Sequence, residues 1–143
     1  VARPKVIERN MAARGFTLVD MLAAVAISGV LATLAWPSYR SQLHRAGRSE
    51  AIEALQKLQF AQERHRETFG VYAPELKTVG VGGASSGGRY DIAYTATGAE
   101  SYRAEALPRA GGPQQGDNGC PTLTLEVREG FATLGPDGRC WNR

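Results

Sequence analysis

The chain has 143 residues, 43% of them hydrophobic, with two cysteines and a formal charge of +3, a length that holds one compact domain and little more. Four of the 17 basic residues, Arg3, Lys5, Arg9 and Arg14, and one of the 14 acidic ones, Glu8, precede Gly15, so the rest of the chain is formally neutral. The excess charge marks a basic N-terminal flank and is no sign of a chain built around nucleic acid, whose phosphates are bound by clustered positive charge.

The first predicted element follows that flank. From Phe16 to Trp36, 21 residues, the side chains are apolar or small, and Asp20 is the one charge among them. As a helix this stretch is about 31 Å long at roughly 1.5 Å per residue, enough to cross a hydrocarbon core. The basic flank then stays on the cytoplasmic side. A secretory signal peptide is the alternative, but its apolar core is shorter and stops at a small-x-small cleavage site, whereas this run leads into a polar helical pattern. Pro37 lacks a backbone donor and predicts a kink, with Gly29 a second weak point.

Gly15-Phe16-Thr17-Leu18, the acid at Asp20, Gly29 and Trp36-Pro37-Ser38-Tyr39 resemble the N-terminal segment of type IV pilins and pseudopilins. The resemblance implies that a prepilin peptidase cuts between Gly15 and Phe16 and that the new terminus at Phe16 is N-methylated. It also places Pro37 at the bend of the family's membrane helix, and lets Asp20 meet the free amine of a neighbouring subunit and align the two. The family usually has glutamate at this place; aspartate keeps the charge and reaches one methylene less. A carboxylate in hydrocarbon costs about 2.5–3.5 kcal/mol by insertion scales, so it needs a cation, the alternative being an incidental acid that snorkels to water. The implied division is a basic leader, residues 1–15, that is removed, an assembly helix, 16–39, and a head, 40–143. Translation from Met11 would give a short leader, Met-Ala-Ala-Arg-Gly, of the family's usual kind; Val1 is either a translated alternative start codon or upstream sequence.

Residues 40 to 66 contain no proline and one glycine, Gly47. At 100° per residue, Leu43, Gly47, Ala51, Ala54, Leu55, Leu58, Ala61 and Phe69 share one arc, which predicts an amphipathic helix lying on a sheet. Ile52 and Phe60 point away from that stripe, either as a partner surface or as ordinary exposed hydrophobes. His65 sits at the edge of the arc with only His44 for company, so no metal site is expected. Gln62 to Ala73 again resembles pilins, with Gly70 as helix terminator before Pro74. Val79 to Gly88, rich in glycine and serine, is expected to be a mobile loop and lacks the lysine of a phosphate-binding loop.

From Arg89 the period changes to two. Tyr90, Ile92 and Tyr94, then Tyr102, Ala104 and Ala106, predict a hairpin. After a loop from Pro108 to Gly119, Leu123, Leu125 and Val127 predict a third strand, turning at Glu129-Gly130 into a fourth through Phe131. Cys120 and Cys140 lie outside if the basic end stays inside, where a disulfide persists and stabilises by about 3 kcal/mol, the alternative being two buried thiols. Cys-x-x-Leu-x-Leu and the final Cys-Trp are similar to minor pilins of the PilE kind.

The expected fold is α+β: a long N-terminal helix, membrane-spanning in its first half and amphipathic in its second, packed on a four-stranded antiparallel sheet with a disulfide-tied C-terminal segment. No metal spacing, nucleophile elbow or dinucleotide loop is present, so no catalysis and no cofactor are expected. The resemblance implies a minor pilin that supports pilus assembly, twitching motility and adhesion. Its partners would be other pilin subunits, the prepilin peptidase and N-methyltransferase, the assembly platform and the inner membrane. The alternatives are a pseudopilin of a type II secretion system and a DNA-uptake pilin, the latter using Arg89-Tyr90 and Tyr102-Arg103 as a stacking surface; the neutral head argues against nucleic acid.

Overall fold

The computed structural model describes residues 15–142; the expected leader up to Arg14 and Met11 lie outside the described residues. Helix α1 runs from Leu18 to Phe69, and the strands are β1, Tyr90–Gly98, β2, Ser101–Pro108, β3, Leu123–Arg128, and β4, Phe131–Gly135. The described residues up to Ser38 and those from Tyr39 onward form two units. In the first, α1 passes through Pro37 without interruption.

In the second unit the four strands form an antiparallel meander in chain order, which closes two of its three connections with short turns. Glu129 and Gly130 both have positive φ, 52° and 84°, the geometry that matches a two-residue hairpin to the twist of its strands. Gly70 ends the helix at φ 78°, its N–H donating to Arg66 O at 2.8 Å, a left-handed position that glycine occupies without strain.

Register decides the core. Tyr94 pairs across to Ala104 and Ile92 to Ala106; Ala104 then faces Leu125, Ala106 faces Leu123 and Tyr102 faces Val127. Large side chains thus alternate with alanines across the sheet, and the alanines leave room for the helix. Ala51, Leu55 and Leu58 fill that room and are fully buried. Tyr72 meets Tyr102 edge-on, with ring centroids 4.9 Å apart.

Three details depart from the sequence pattern. Leu43 and Phe69, both on the predicted stripe, are exposed, because the buried part of α1 extends only from Gly47 to Gln62. Ile52, placed off the stripe, packs against the core at its edge. The glycine-serine segment expected to be mobile is tied down: Glu50 accepts hydrogen bonds from Ser85 Oγ and Gly87 N, and Gly83 O accepts from Ile92 N.

Two buried amides replace apolar packing. Gln62 Oε1 accepts from Ala73 N at 2.8 Å while its Nε2 donates to Ala73 O, so the helix side chain imitates a strand pairing. Gln114 Nε2 donates to His44 O, lying so close over the helix that a Cβ on Gly47 would stand 1.3 Å from it. Gly47 is therefore required by close approach and not by backbone conformation.

Gln62→Ala strands the Ala73 N–H in the core, which costs about 1–3 kcal/mol. We expect the urea midpoint of the full chain in detergent, followed by tryptophan emission, to fall accordingly; an unchanged midpoint contradicts the role. Burial raises the phenols of Tyr90 and Tyr94 to about 12, above the usual value near 10. The neutral phenols therefore support the fold fully below about pH 10, and this support is lost as pH rises through about 12. Absorbance at 295 nm should show these tyrosines ionising together with unfolding and not before it.

Candidate functional site

Three groups of residues remain after packing is explained. The first is the start of α1. Gly15 and Phe16 precede the helix, and Phe16 is 89% exposed. Thr17 caps the helix: Asp20 Oδ2 accepts from Thr17 N at 2.9 Å and from Thr17 Oγ1 at 2.8 Å, while Thr17 Oγ1 accepts from Asp20 N. This is a reciprocal capping box, in which a side-chain pair satisfies the first orphan amides and an acid sits at the positive end of the helix dipole. The Thr-x-x-Asp spacing was visible in the sequence, but the reading of Asp20 as a membrane acid hid it.

The apolar run beyond it has no cover. From Phe16 to Trp36, eleven large hydrophobic side chains are exposed, and a Cβ on Gly29 would meet nothing within 4 Å. At about 2 kcal/mol for each side chain, covering this surface is worth on the order of 20 kcal/mol, far more than the cost of one acid near its end. This part of α1 is long and apolar enough to cross a membrane, with a mean hydropathy of 2.1.

The second group is the disulfide-tied end. Cys120 and Cys140 are bonded, with Cα atoms 5.5 Å apart. The segment folds onto β4 through Trp141, whose Nε1 donates to Gly135 O at 2.8 Å. Asp137 Oδ1 accepts from Cys140 N; the Arg139 guanidinium first, and that amide second, hold the Asp137 carboxyl below its usual range.

The third group is the arginines. Arg89 pairs with Glu50, and Arg103 with Glu105 and Glu126; Tyr90 and Tyr102 beside them are fully buried. These pairs offer no stacking faces, so the basic-aromatic surface considered from the sequence does not form. A cavity of about 500 Å³ is instead lined by Arg45, Arg48 and Arg139 with Asp137, Asn142 and Cys120. Arg48 reaches it from α1, donating through Nη1 to Cys120 Sγ with Nε 3.6 Å from Asp117. No periodicity rule could place these three arginines together, because the disulfide brings Arg139 to the helix.

His65 Nδ1 lies 3.0 Å from Val71 O and His44 Nδ1 lies 2.9 Å from Gln114 Oε1. Among the described residues no three metal-ligating side chains converge. Phe60 is exposed on α1.

Residues 37–124 match the family described as "Type IV minor pilin ComP, DNA uptake sequence receptor", and residues 10–36 match the prokaryotic N-terminal methylation motif. The chain is 33% identical over 77 residues to the type IV major pilin protein PilE of Neisseria gonorrhoeae, covering 54% of this chain and 46% of that one. It is 28% identical over 123 residues to the type IV major fimbrial protein FimA of Dichelobacter nodosus, covering 85% and 70%. To a fimbrial protein of Moraxella nonliquefaciens it is 32% identical over 79 residues, covering 55% and 51%. The match to PilE thus spans about half the length of that relative.

Proposed function

We propose, from the premise that this chain belongs to the type IV minor pilin family of the ComP kind, that it is a non-enzymatic subunit of a type IV pilus. In this reading the chain waits in the inner membrane with its basic end cytoplasmic. The prepilin peptidase cuts it between Gly15 and Phe16, Phe16 is methylated, and the assembly platform lifts it into or onto the tip of a fibre. The observation that carries the reading is the uncovered apolar run of α1 with one acid near its start. Such a surface is satisfied by lipid in storage and by the same run of neighbouring subunits in a fibre, and Asp20 is the polar group that distinguishes one offset from another. Gly29 lets a neighbour approach closely, and Pro37 gives the helix a place to bend on assembly. A pseudopilin would share this half of the chain, but the relatives matched are pilins and fimbrial proteins.

Asp20 then has two roles that its substitutions separate. Asp20→Asn keeps an acceptor for Thr17 and removes the charge. We expect it to remain membrane-inserted and to fall at least tenfold in sheared fibres by immunoblot, while incorporation equal to the parent refutes the alignment role. The mature subunit should begin at N-methylated Phe16 by intact mass, and an uncut Gly15-Phe16 bond in cells with active peptidase is incompatible with the whole reading.

A second reading, DNA capture by the head, is favoured by the family description and by the Arg45, Arg48 and Arg139 cavity. Each phosphate neutralised contributes about 0.9 to the slope of log affinity against log salt. Arg45→Gln with Arg139→Gln should therefore weaken retention of a duplex by the full chain in detergent and reduce that slope by about two. Arg89→Gln with Arg103→Gln should change it little; the opposite ranking refutes this placement of the site.

A further inference from the structure

From Met21 to Ser49 the chain contains no acidic residue, yet Arg40, Arg45 and Arg48 fall in its last ten positions, all on α1. Arg48 turns inward to Asp117 and Cys120. Arg40 and Arg45 are exposed, and among the described residues neither pairs with a carboxylate. Tyr39, next to Arg40, is 59% exposed, and Trp36 closes the apolar run on the same helix. Arg40 and Arg45 stand about 140° apart around α1, on well-separated sides of it, and each borders a cavity, Arg40 with His44 and Pro113, Arg45 with Arg139.

Arginines on this side run against the charge bias that orients a membrane helix, which places cations on the cytoplasmic flank. Aromatic residues at the end of an apolar span mark the head-group level, and cations just past it gain about 1 kcal/mol each from an anionic surface. We infer that Arg40 and Arg45 form a collar that binds the phosphates of anionic phospholipids in the outer leaflet of the membrane that stores the subunit. The inference rests on the proposal that α1 spans that membrane. Its consequence is that extraction into a fibre breaks these contacts, so the collar sets how readily the subunit leaves the lipid. Lipid is favoured over nucleic acid because Arg40 and Arg45 begin four residues past the apolar run, where a stored subunit meets head groups before any soluble polyanion.

The test uses the full chain reconstituted in vesicles of phosphatidylcholine with 30% phosphatidylglycerol, with bromine on the acyl chains of one lipid or the other to quench tryptophan near the bilayer. Brominated phosphatidylglycerol should quench several-fold more effectively than brominated phosphatidylcholine at low salt. Arg40→Gln with Arg45→Gln should abolish the preference, on the order of fivefold per arginine, and Arg40→Lys with Arg45→Lys should retain it. Failure to insert into either vesicle overturns the membrane-spanning reading, and the collar with it. Insertion with equal quenching by the two lipids overturns the collar alone. A preference that survives the glutamine pair, with loss of duplex retention instead, overturns it in favour of nucleic acid.

Discussion

A single helix here obeys two incompatible rules of burial. Through Trp36 it is apolar on every side, which no face-on contact with one sheet can satisfy; from Gly47 to Gln62 it is apolar on one stripe, which a sheet satisfies well. The first rule demands an environment that surrounds the helix, lipid or a bundle of like helices, and the second demands a partner on one side only. The structure meets the second demand within the chain and leaves the first unmet. Everything proposed about membrane storage and fibre assembly follows from that unmet surface, because its worth exceeds the net stability of an ordinary domain.

The head answers a narrower problem, how a helix with few large side chains can be held firmly. Alanines at 51, 104 and 106 bring helix and sheet close, and tyrosines at 90 and 102 fill the space beside them. Close approach leaves little apolar volume, so two buried glutamines supply specific hydrogen bonds where a leucine would supply only contact. Amides that bond to backbone in this way fix the loops at Ala73 and Gln114 against the helix, since a shift of one turn would leave each of them unpaired. The disulfide completes the arrangement from the far end of the chain, tying the tail after β4 to Cys120 and bringing Asn142 to the Arg45 carbonyl.

Periodicity made most of this fold legible. The change from a 3.6 to a 2.0 repeat at Arg89, the Glu129-Gly130 turn and the terminator at Gly70 are local signals, and the structure places strands, hairpin and helix end where they point. What periodicity missed was contributed by partners distant in sequence. Gln62 reads as one more polar residue until Ala73 stands opposite it, and Gly47 reads as a weak spot in a helix until Gln114 crosses above. Leu43 and Phe69 carried the right spacing but lie beyond the reach of a sheet whose strands are five to nine residues long. The arginine cavity was illegible for the same reason: two of its cations are three residues apart on α1, and the third arrives through a covalent bond closing 20 residues later.

Charge is distributed by the same logic. The sheet's outward face pairs its arginines with acids, Arg103 with Glu105 and Glu126 and Arg128 with Glu126, and Arg109 just past β2 pairs with Asp91. Such exposed pairs contribute little to stability, but they cancel the field of that face, so an approaching polyanion finds no excess charge there. The helix between Met21 and Ser49 has no acid with which to cancel anything. A chain that is formally neutral from Gly15 on is therefore uneven by position, with Arg40 and Arg45 standing in a stretch of α1 that holds no acid. Net charge, the quantity that argued against an anionic partner, averages over this asymmetry; the positions of the acids, more than the number of the bases, decide where an anion can bind.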